Sequence, residues 1–271
     1  MRPAVALRSA LINVMVAAAR KAARGLLHDF GEVEQLQVSL KGPADFVSAA
    51  DRRAEETIHR ELKKARPNYG FLFEERGAEE GKDSSNRWLV DPLDGTTNFL
   101  HGIPQFCISI ALERDSRLLA GVIYDPVRDE MFWAEDGGGA YMNETRMRVA
   151  VRRDLKDAVV VTGIPHRGRR GKEGYQEQLH AVMETVSGVR RFGSAALDLA
   201  WVAAGRFDGY WEQGLNPWDI AAGIVLVREA GGIASEVHGG SAMLKSGSVL
   251  CANPEMHGQL AEIFKHTALA V

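Results

Sequence analysis

The sequence predicts an α/β (α+β) protein whose two halves share a cleft, and three observations predict it. Residues 105–134 alternate short apolar runs with turn signals, the pattern of an antiparallel meander. After residue 155 short apolar runs alternate with stretches of helical periodicity instead. The composition is 45% hydrophobic and 25% charged with 28 Gly and 9 Pro, which excludes disordered, collagen-like and low-complexity classes. A chain of 271 residues is long enough to bury most of its apolar surface without disulfides or a structural metal.

The first element is a helix expected near residues 4–28. Arg2 and Arg8 followed by the apolar run Ala10–Ala19 also resemble a secretory leader. On a helical wheel, however, Arg2, Ser9, Asn13, Arg20 and Arg24 fall within about 60° of one another, so a polar stripe crosses the supposed leader and continues past it. An amphipathic core-packing helix is the better reading. No other stretch approaches the roughly 18 apolar residues of a membrane span. A short strand is expected at Leu36–Leu40 and a second helix from Asp45 to Lys64, stopped by Arg66-Pro67-Asn68.

Phe71–Phe73 and Arg87–Val90 read as short buried strands, each ending in acid. The meander follows as Phe106–Leu112, Leu118–Tyr124 and Met131–Trp133, with turns at 114–116 and 125–129. Gly137-Gly138-Gly139 precedes no helix and reads as a hairpin turn rather than a phosphate loop. The second half alternates: strand Ala158–Thr162, helix 173–186, helix Ala195–Ala204, strand Gly209–Glu212, helix Trp218–Ala230, strand Ser248–Ala252 and a closing helix Glu255–Thr267.

Thirty-three Lys+Arg against 36 Asp+Glu leave a net charge of −3, which argues against a dedicated nucleic-acid coat. Cys107 and Cys251 sit in apolar runs, which predicts buried thiols in a reducing, cytoplasmic setting. The absence of a CxxC or Cys/His cluster rules out the common zinc spacings.

The chemistry-bearing candidates are acids. Asp91 ends a buried strand, the chain turns at Pro92, and Asp94 opens a Gly95-Thr96-Thr97 segment able to start a short helix. That arrangement sets two carboxylates at the mouth of a sheet, with helix-start N–H groups beside them. Asp-Pro-x-Asp-Gly also makes a good surface turn, and the residues alone leave both readings open. Glu74-Glu75 ends an apolar strand, as a solvated strand end also does. Asp219 follows Asn216-Pro217-Trp218, where it completes a capping box or projects toward a cleft at the helix start. Asp51, three residues after Ser48, has the spacing of a capping box too.

Together these segments resemble the inositol monophosphatase family of metal-dependent, lithium-sensitive sugar phosphatases, in its bacterial spelling. The resemblance rests on Glu74-Glu75, on Asp91-Pro92-Leu93-Asp94-Gly95-Thr96-Thr97-Asn98-Phe99 and on Trp218-Asp219-Ile220-Ala221-Ala222-Gly223. It is supported by the Lys41 to Asp51 segment, by Gly193 to Leu199 and by Tyr210-Trp211-Glu212, all in family order. The fold it implies is a layered αβαβα sandwich over residues 1–271, with halves near 1–152 and 153–271 meeting at a metal cleft. The activity it implies is Mg2+-dependent hydrolysis of inositol monophosphate or a related sugar phosphate by water attack.

By that resemblance Glu74, Asp91 and the Leu93 carbonyl hold a first Mg2+. Asp91, Asp94 and Asp219 hold a second, and Glu74 leans on a weaker third. Thr96 orients the attacking water and passes its proton toward Asp51, with Glu74 beside them. Gly95 and Thr96 amides bind phosphate, while Glu212 and the Gly193, Ser194 and Ala195 backbone receive the sugar or inositol, whose hydroxyls Asp94 and Asp219 also touch. Lys41 reaches in from its loop. An all-oxygen donor set suits a hard cation such as Mg2+, which keeps waters and shares substrate phosphate oxygens. The resemblance also implies a homodimer and no membrane partner.

Two departures bear on the substrate. Phe73 stands where many members have Gly, and Asn216-Pro217 replaces more polar or thiol-bearing residues near the leaving-group pocket. Fructose bisphosphate, histidinol phosphate and 3′-phosphoadenosine nucleotides therefore stay open as substrates. The basic run His166–Lys172 is a solvated loop, a lure for anionic substrates or an RNA contact; in the last case the protein is a regulatory RNA- or protein-binding module.

Overall fold

The computed structural model describes residues 8–36, 43–165 and 173–267. Two helices come first, α1 (Ala10–Leu36) and α2 (Pro43–Ala65). They precede an eight-stranded sheet made of β1 (Tyr69–Phe73), β2 (Gly77–Glu79), β3 (Asp83–Asp94), β4 (Cys107–Arg114), β5 (Arg117–Asp125), β6 (Glu130–Glu135), β7 (Gly139–Met142) and β8 (Thr145–Arg146). Its strand order is β2-β1-β3-β4-β5-β6-β7-β8, with the short helix α3 (Thr96–Leu100) between β3 and β4. The second sheet has the order β10-β9-β11-β13-β12, from β9 (Val159–Thr162), β10 (Gly188–Arg190), β11 (Gly209–Glu212), β12 (Ile233–Ser235) and β13 (Val249–Ala252). Its helices are α4 (Tyr175–Met183), α5 (Ala195–Ala203), α6 (Pro217–Glu229), the single turn α7 (Met243–Ser246) and α8 (Pro254–Thr267).

The period-two alternation of each strand sorts these elements into five layers. Trp88, Val90, Ile108, Ile110 and Val122 face α1 and α2 and form one core. Their neighbours Leu89, Cys107, Ala111 and Ile123 face the opposite way, into a core filled by α5 and α6. The second sheet closes that core with Val161, Tyr210, Val249 and Cys251. Its other face, through Val160, Trp211 and Leu250, packs on α4 and α8. The αβαβα sandwich expected from the resemblance is the observed architecture.

α1 begins later than expected and continues to Leu36, so it absorbs the start of the expected Leu36–Leu40 strand. Residues 37–40, Arg2, Lys41 and the basic run 166–172 lie outside the described residues. Within α1, Ile12, Met15, Ala19, Ala22 and Leu26 are buried and Asn13, Arg20 and Arg24 exposed, as an amphipathic core helix requires. No helix among the described residues is long and apolar enough to cross a membrane. Both cysteines are free and buried. Ser48 and Asp51 lie inside α2, so the capping-box reading of that pair does not hold.

The strand expected to end at Asp91 runs on to Asp94, and it does so through a bulge. Asp91 pairs with Ser109 and Asp94 with Cys107, so three steps on β3 match two on β4. In a regular strand Asp91 and Asp94 point to opposite faces; one extra residue puts both on the face of Ser109 and Cys107, toward α5 and α6. Pro92 sits in the bulge, where a missing N–H costs no ladder bond. This irregularity positions the candidate site.

Candidate functional site

The site lies at one end of the middle layer, where α5 and α6 begin. A cavity of about 400 Å³ opens there, and Glu74, Asp91, Asp94, Glu212 and Asp219 line it together with Gly95, Thr96 and Gly193–Ala195. These acids come from the end of β1, the β3 bulge, the end of β11 and the first turn of α6. Glu212 reaches the cavity by the same alternation, lying two residues after Tyr210 on the face toward the middle layer. The positive ends of α5 and α6 point at the same space, which favours a bound anion.

Four of these acids also hold a hydrogen-bond donor of the fold. Asp91 accepts from the Leu93 N–H at 2.9 Å. Asp219 accepts from the Asn216 N–H at 2.8 Å, with Asn216 as N-cap and Pro217 at the first helical position. The capping reading of Asp219 and its place on the cleft are therefore true together. Asp94 Oδ2 accepts from the Ser194 hydroxyl at 2.6 Å and from the Ala196 N–H at 2.8 Å. Glu212 accepts from the Tyr210 hydroxyl at 2.8 Å. On α2, Glu55 is fully buried, holds the Glu75 N–H at 3.0 Å and pairs with Arg76, which pins the turn just after Glu74.

The electrostatics are those of crowded like charges. Burial first, then Glu74, Asp94, Asp219 and Asp51, push the Asp91 carboxyl well above the usual range. Burial, then Glu74, Glu75 and Glu55, push Asp51 up to about 8. Its Oδ1 is buried with no hydrogen-bond partner among the described residues. Cys107, below Asp94, keeps its proton because burial and the acids raise its pKa. Among the described residues no three His, Cys, Asp or Glu side chains are gathered as a ready-made metal site. The donor chemistry nevertheless fits a hard divalent cation: several buried carboxylates, oxygen donors only, whose repulsion a cation relieves.

One expected pair is absent. The Thr96 hydroxyl, expected on Asp51, donates to the Leu93 carbonyl at 3.0 Å, because the left-handed turn at Gly95 (φ 96°) folds it back three residues. A Cβ at Gly95 would stand 2.7 Å from the Gln105 carbonyl oxygen, so only glycine fits that turn. Ser194, expected to present its backbone, is buried and turns its side chain to Asp94. Sequence reasoning missed Arg191, which lines the cavity, and Asn98, which bonds across the cleft. Asn98 stood inside the longest motif, but nothing local marks its partner 94 residues away.

Comparison with known proteins matches residues 7–268 to the model of the inositol monophosphatase family. An inositol-1-monophosphatase of Mesorhizobium japonicum is 61% identical over 258 residues, 95% of this chain and 97% of that protein. A Nus factor SuhB of Pasteurella multocida is 43% identical over 246 residues, 91% of this chain and 92% of that protein. The native crystal structure of the extragenic suppressor protein suhB from Bartonella henselae superposes with a TM-score of 0.88 at 55% identity, covering 95% of this chain and 99% of that one.

Proposed function

This chain belongs to the inositol monophosphatase family, and from that premise we propose that it is a Mg2+-dependent phosphomonoesterase acting on inositol monophosphate or a related sugar phosphate. The observation that supports this most is the convergence of Glu74, Asp91, Asp94 and Asp219, from three separate elements, on one cavity. Glu74, Asp91, the Leu93 carbonyl, Asp94 and Asp219 are the residues that would hold the cations, two or three in number. Bound there, Mg2+ supplies a water of lowered pKa and stabilises charge on the leaving oxygen.

The chain's own groups then do the rest. The Gly95 and Thr96 amides, at the start of α3, orient the phosphate and place fixed dipoles where charge develops. The Thr96 hydroxyl, released from the Leu93 carbonyl, orients the attacking water. Asp51, as its carboxylate, is the group that by the resemblance accepts from the Thr96 hydroxyl, so that the water's proton passes to it through Thr96. Glu212 and the Gly193–Ala195 backbone receive the ring hydroxyls on the opposite wall, and Lys41, by the resemblance, supplies a further positive charge for the phosphate. The same wall admits fructose bisphosphate, histidinol phosphate or a 3′-phosphoadenosine nucleotide as alternative substrates.

The test is phosphate release from a panel of inositol, sugar and nucleotide phosphates, with and without Mg2+ and Li+. Release is expected to require Mg2+ and to be inhibited by Li+. Asp94→Asn is expected to reduce it to background while the far-UV circular dichroism spectrum is unchanged. Wild-type turnover in Asp94→Asn would refute the assignment of the acids.

A second reading is favoured by relatives named Nus factor SuhB, a name that describes no hydrolysis. In that reading Arg167, Arg169 and Arg170 in the basic run 166–172 contact RNA or a protein. Salt-sensitive RNA retention that disappears when these three are neutralised supports it; no retention at low salt rejects it.

A further inference from the structure

The helix α5 has serine at its N-cap position, yet the Ser194 side chain makes no capping bond to its own helix. An N-cap serine normally accepts from an amide of the first turn. Here the hydroxyl instead donates to Asp94 Oδ2 at 2.6 Å, and the amide of Ala196, in that first turn, donates to the same oxygen at 2.8 Å. The cap of α5 is thus a carboxylate brought from the β3 bulge of the other sheet. Four residues after Asp94, the buried Asn98 makes a second crossing. Its Nδ2 donates to the Gln105 carbonyl at 2.8 Å on its own side, and to the Phe192 carbonyl at 2.8 Å across the cleft. The Gly193 carbonyl lies 3.4 Å from the same nitrogen.

We propose that Asn98 and Ser194 are positioning residues for the reaction: they make Asp94 the cap of α5 and so lock the wall Gly193–Ala196 to the acids of β3. The proposal rests on the phosphatase reading for its catalytic consequence but not for its geometry. Asp94 is the junction, with one oxygen held by the wall that faces the substrate while its own segment carries the acids assigned to the cation. Cation and substrate wall therefore share one carboxylate, and an error in either crossing displaces both. Neither Asn98 nor the Ser194 hydroxyl touches the reacting atoms in this role.

The experiment uses the full chain with Ser194→Ala, Ser194→Thr and Asn98→Ala, and two readouts. The first, amide hydrogen exchange of the metal-free protein, needs no activity. Loss of the Ser194 bond to a carboxylate is worth roughly tenfold or more, and loss of the two Asn98 bonds to backbone carbonyls together roughly tenfold, so Ala196 is expected to exchange about tenfold faster in Ser194→Ala and Asn98→Ala. The amides of β4 are expected to be unchanged, and Ser194→Thr is expected to restore protection. The second readout is Mg2+-dependent phosphate release, where Ser194→Ala and Asn98→Ala are expected to lose about tenfold in kcat and to need more Mg2+, with Ser194→Thr within twofold of wild type. Unchanged exchange at Ala196 overturns the proposal, and so does Ser194→Thr behaving like Ser194→Ala. Should Asn98→Ala fail to fold, the two Ser194 variants decide alone. A wild-type protein that releases no phosphate with Mg2+ refutes the phosphatase reading, and with it the catalytic half of this one, while the exchange result still decides the cap.

Discussion

Asp91, Asp94, Glu212 and Asp219 each hold a backbone or hydroxyl group and also face the cleft, so a structural and a functional role coincide in one side chain. Asp219 is the plainest case. Its position three residues after Asn216 predicts a helix start, and the same helix start aims it at the cavity. Local spacing specified what each residue does to its own neighbours; it did not specify Ser194 as a partner of Asp94. Glu212 permits a prediction at this scale. A Cβ on Gly163 would overlap the Glu212 carboxylate, the mobile end of a side chain able to move aside. Gly163 is itself buried, and the displaced carboxylate gives up the Tyr210 hydroxyl, so Gly163→Ala is expected to cost about 1 kcal/mol and to lower the melting temperature by roughly 2–4 °C. KM is expected to rise severalfold, because the residue facing the substrate hydroxyls is displaced. A large loss of stability with unchanged KM would contradict this.

At the scale of elements, the helices and central strands were legible because their periodicity is strong: β11 occupies the expected Gly209–Glu212, and α5, α6, α8 and β13 lie within a residue or two of expectation. The short strands β2, β8, β10 and β12 were not, since two or three residues carry no period and their pairing is set by the neighbouring strand. The β3 bulge was read as a turn because Pro92 is a turn signal, whereas the ladder to β4 holds the chain extended on either side. His257 on α8 and Ser235 on β12 offer a test of how two elements dock. The His257 ring lies 2.9 Å from the Ser235 hydroxyl, and burial lowers its pKa below the ordinary 6.5. The unfolded chain then binds the proton more readily than the folded one, so stability is complete above pH 6.5 and declines as pH falls below it. The raised carboxyls of Asp51 and Asp91 contribute in the opposite sense, so the measurement is a difference between proteins: as pH falls from 6.5 to 5, denaturant unfolding is expected to show His257→Gln without the destabilising slope that the ring adds in wild type. An unchanged slope would show that the ring titrates freely in the folded state.

At the scale of the whole molecule, the two sheets present acids to one middle layer, and the cost of that concentration of charge is visible in the raised pKa values of Asp51 and Asp91. A cation that binds the folded chain and not the unfolded one adds stability by linkage, about 2.7 kcal/mol at 100 times its dissociation constant. For a chain of this length that corresponds to a rise of roughly 5–10 °C in melting temperature. Mg2+ is expected to produce such a rise in a thermal melt, EDTA to reverse it, and Asp94→Asn to diminish it. No shift at tens of millimolar Mg2+ would count against a cation site among these acids.

Much of this protein is legible along the chain. The α/β class follows from two strand rhythms, while the αβαβα layering and the identities of the cavity acids come through the family resemblance that the motifs carry, because rhythms and motifs are both properties of neighbours in the sequence. What the sequence could not express is which distant groups meet: Asp94 with Ser194 and Ala196, and Asn98 with Phe192. Those pairings depend on one extra residue in β3 and on how α5 and α6 pack between two sheets. A bulge changes the face of a side chain without changing its name, so its consequence exists only once the strands have paired and the layers have closed.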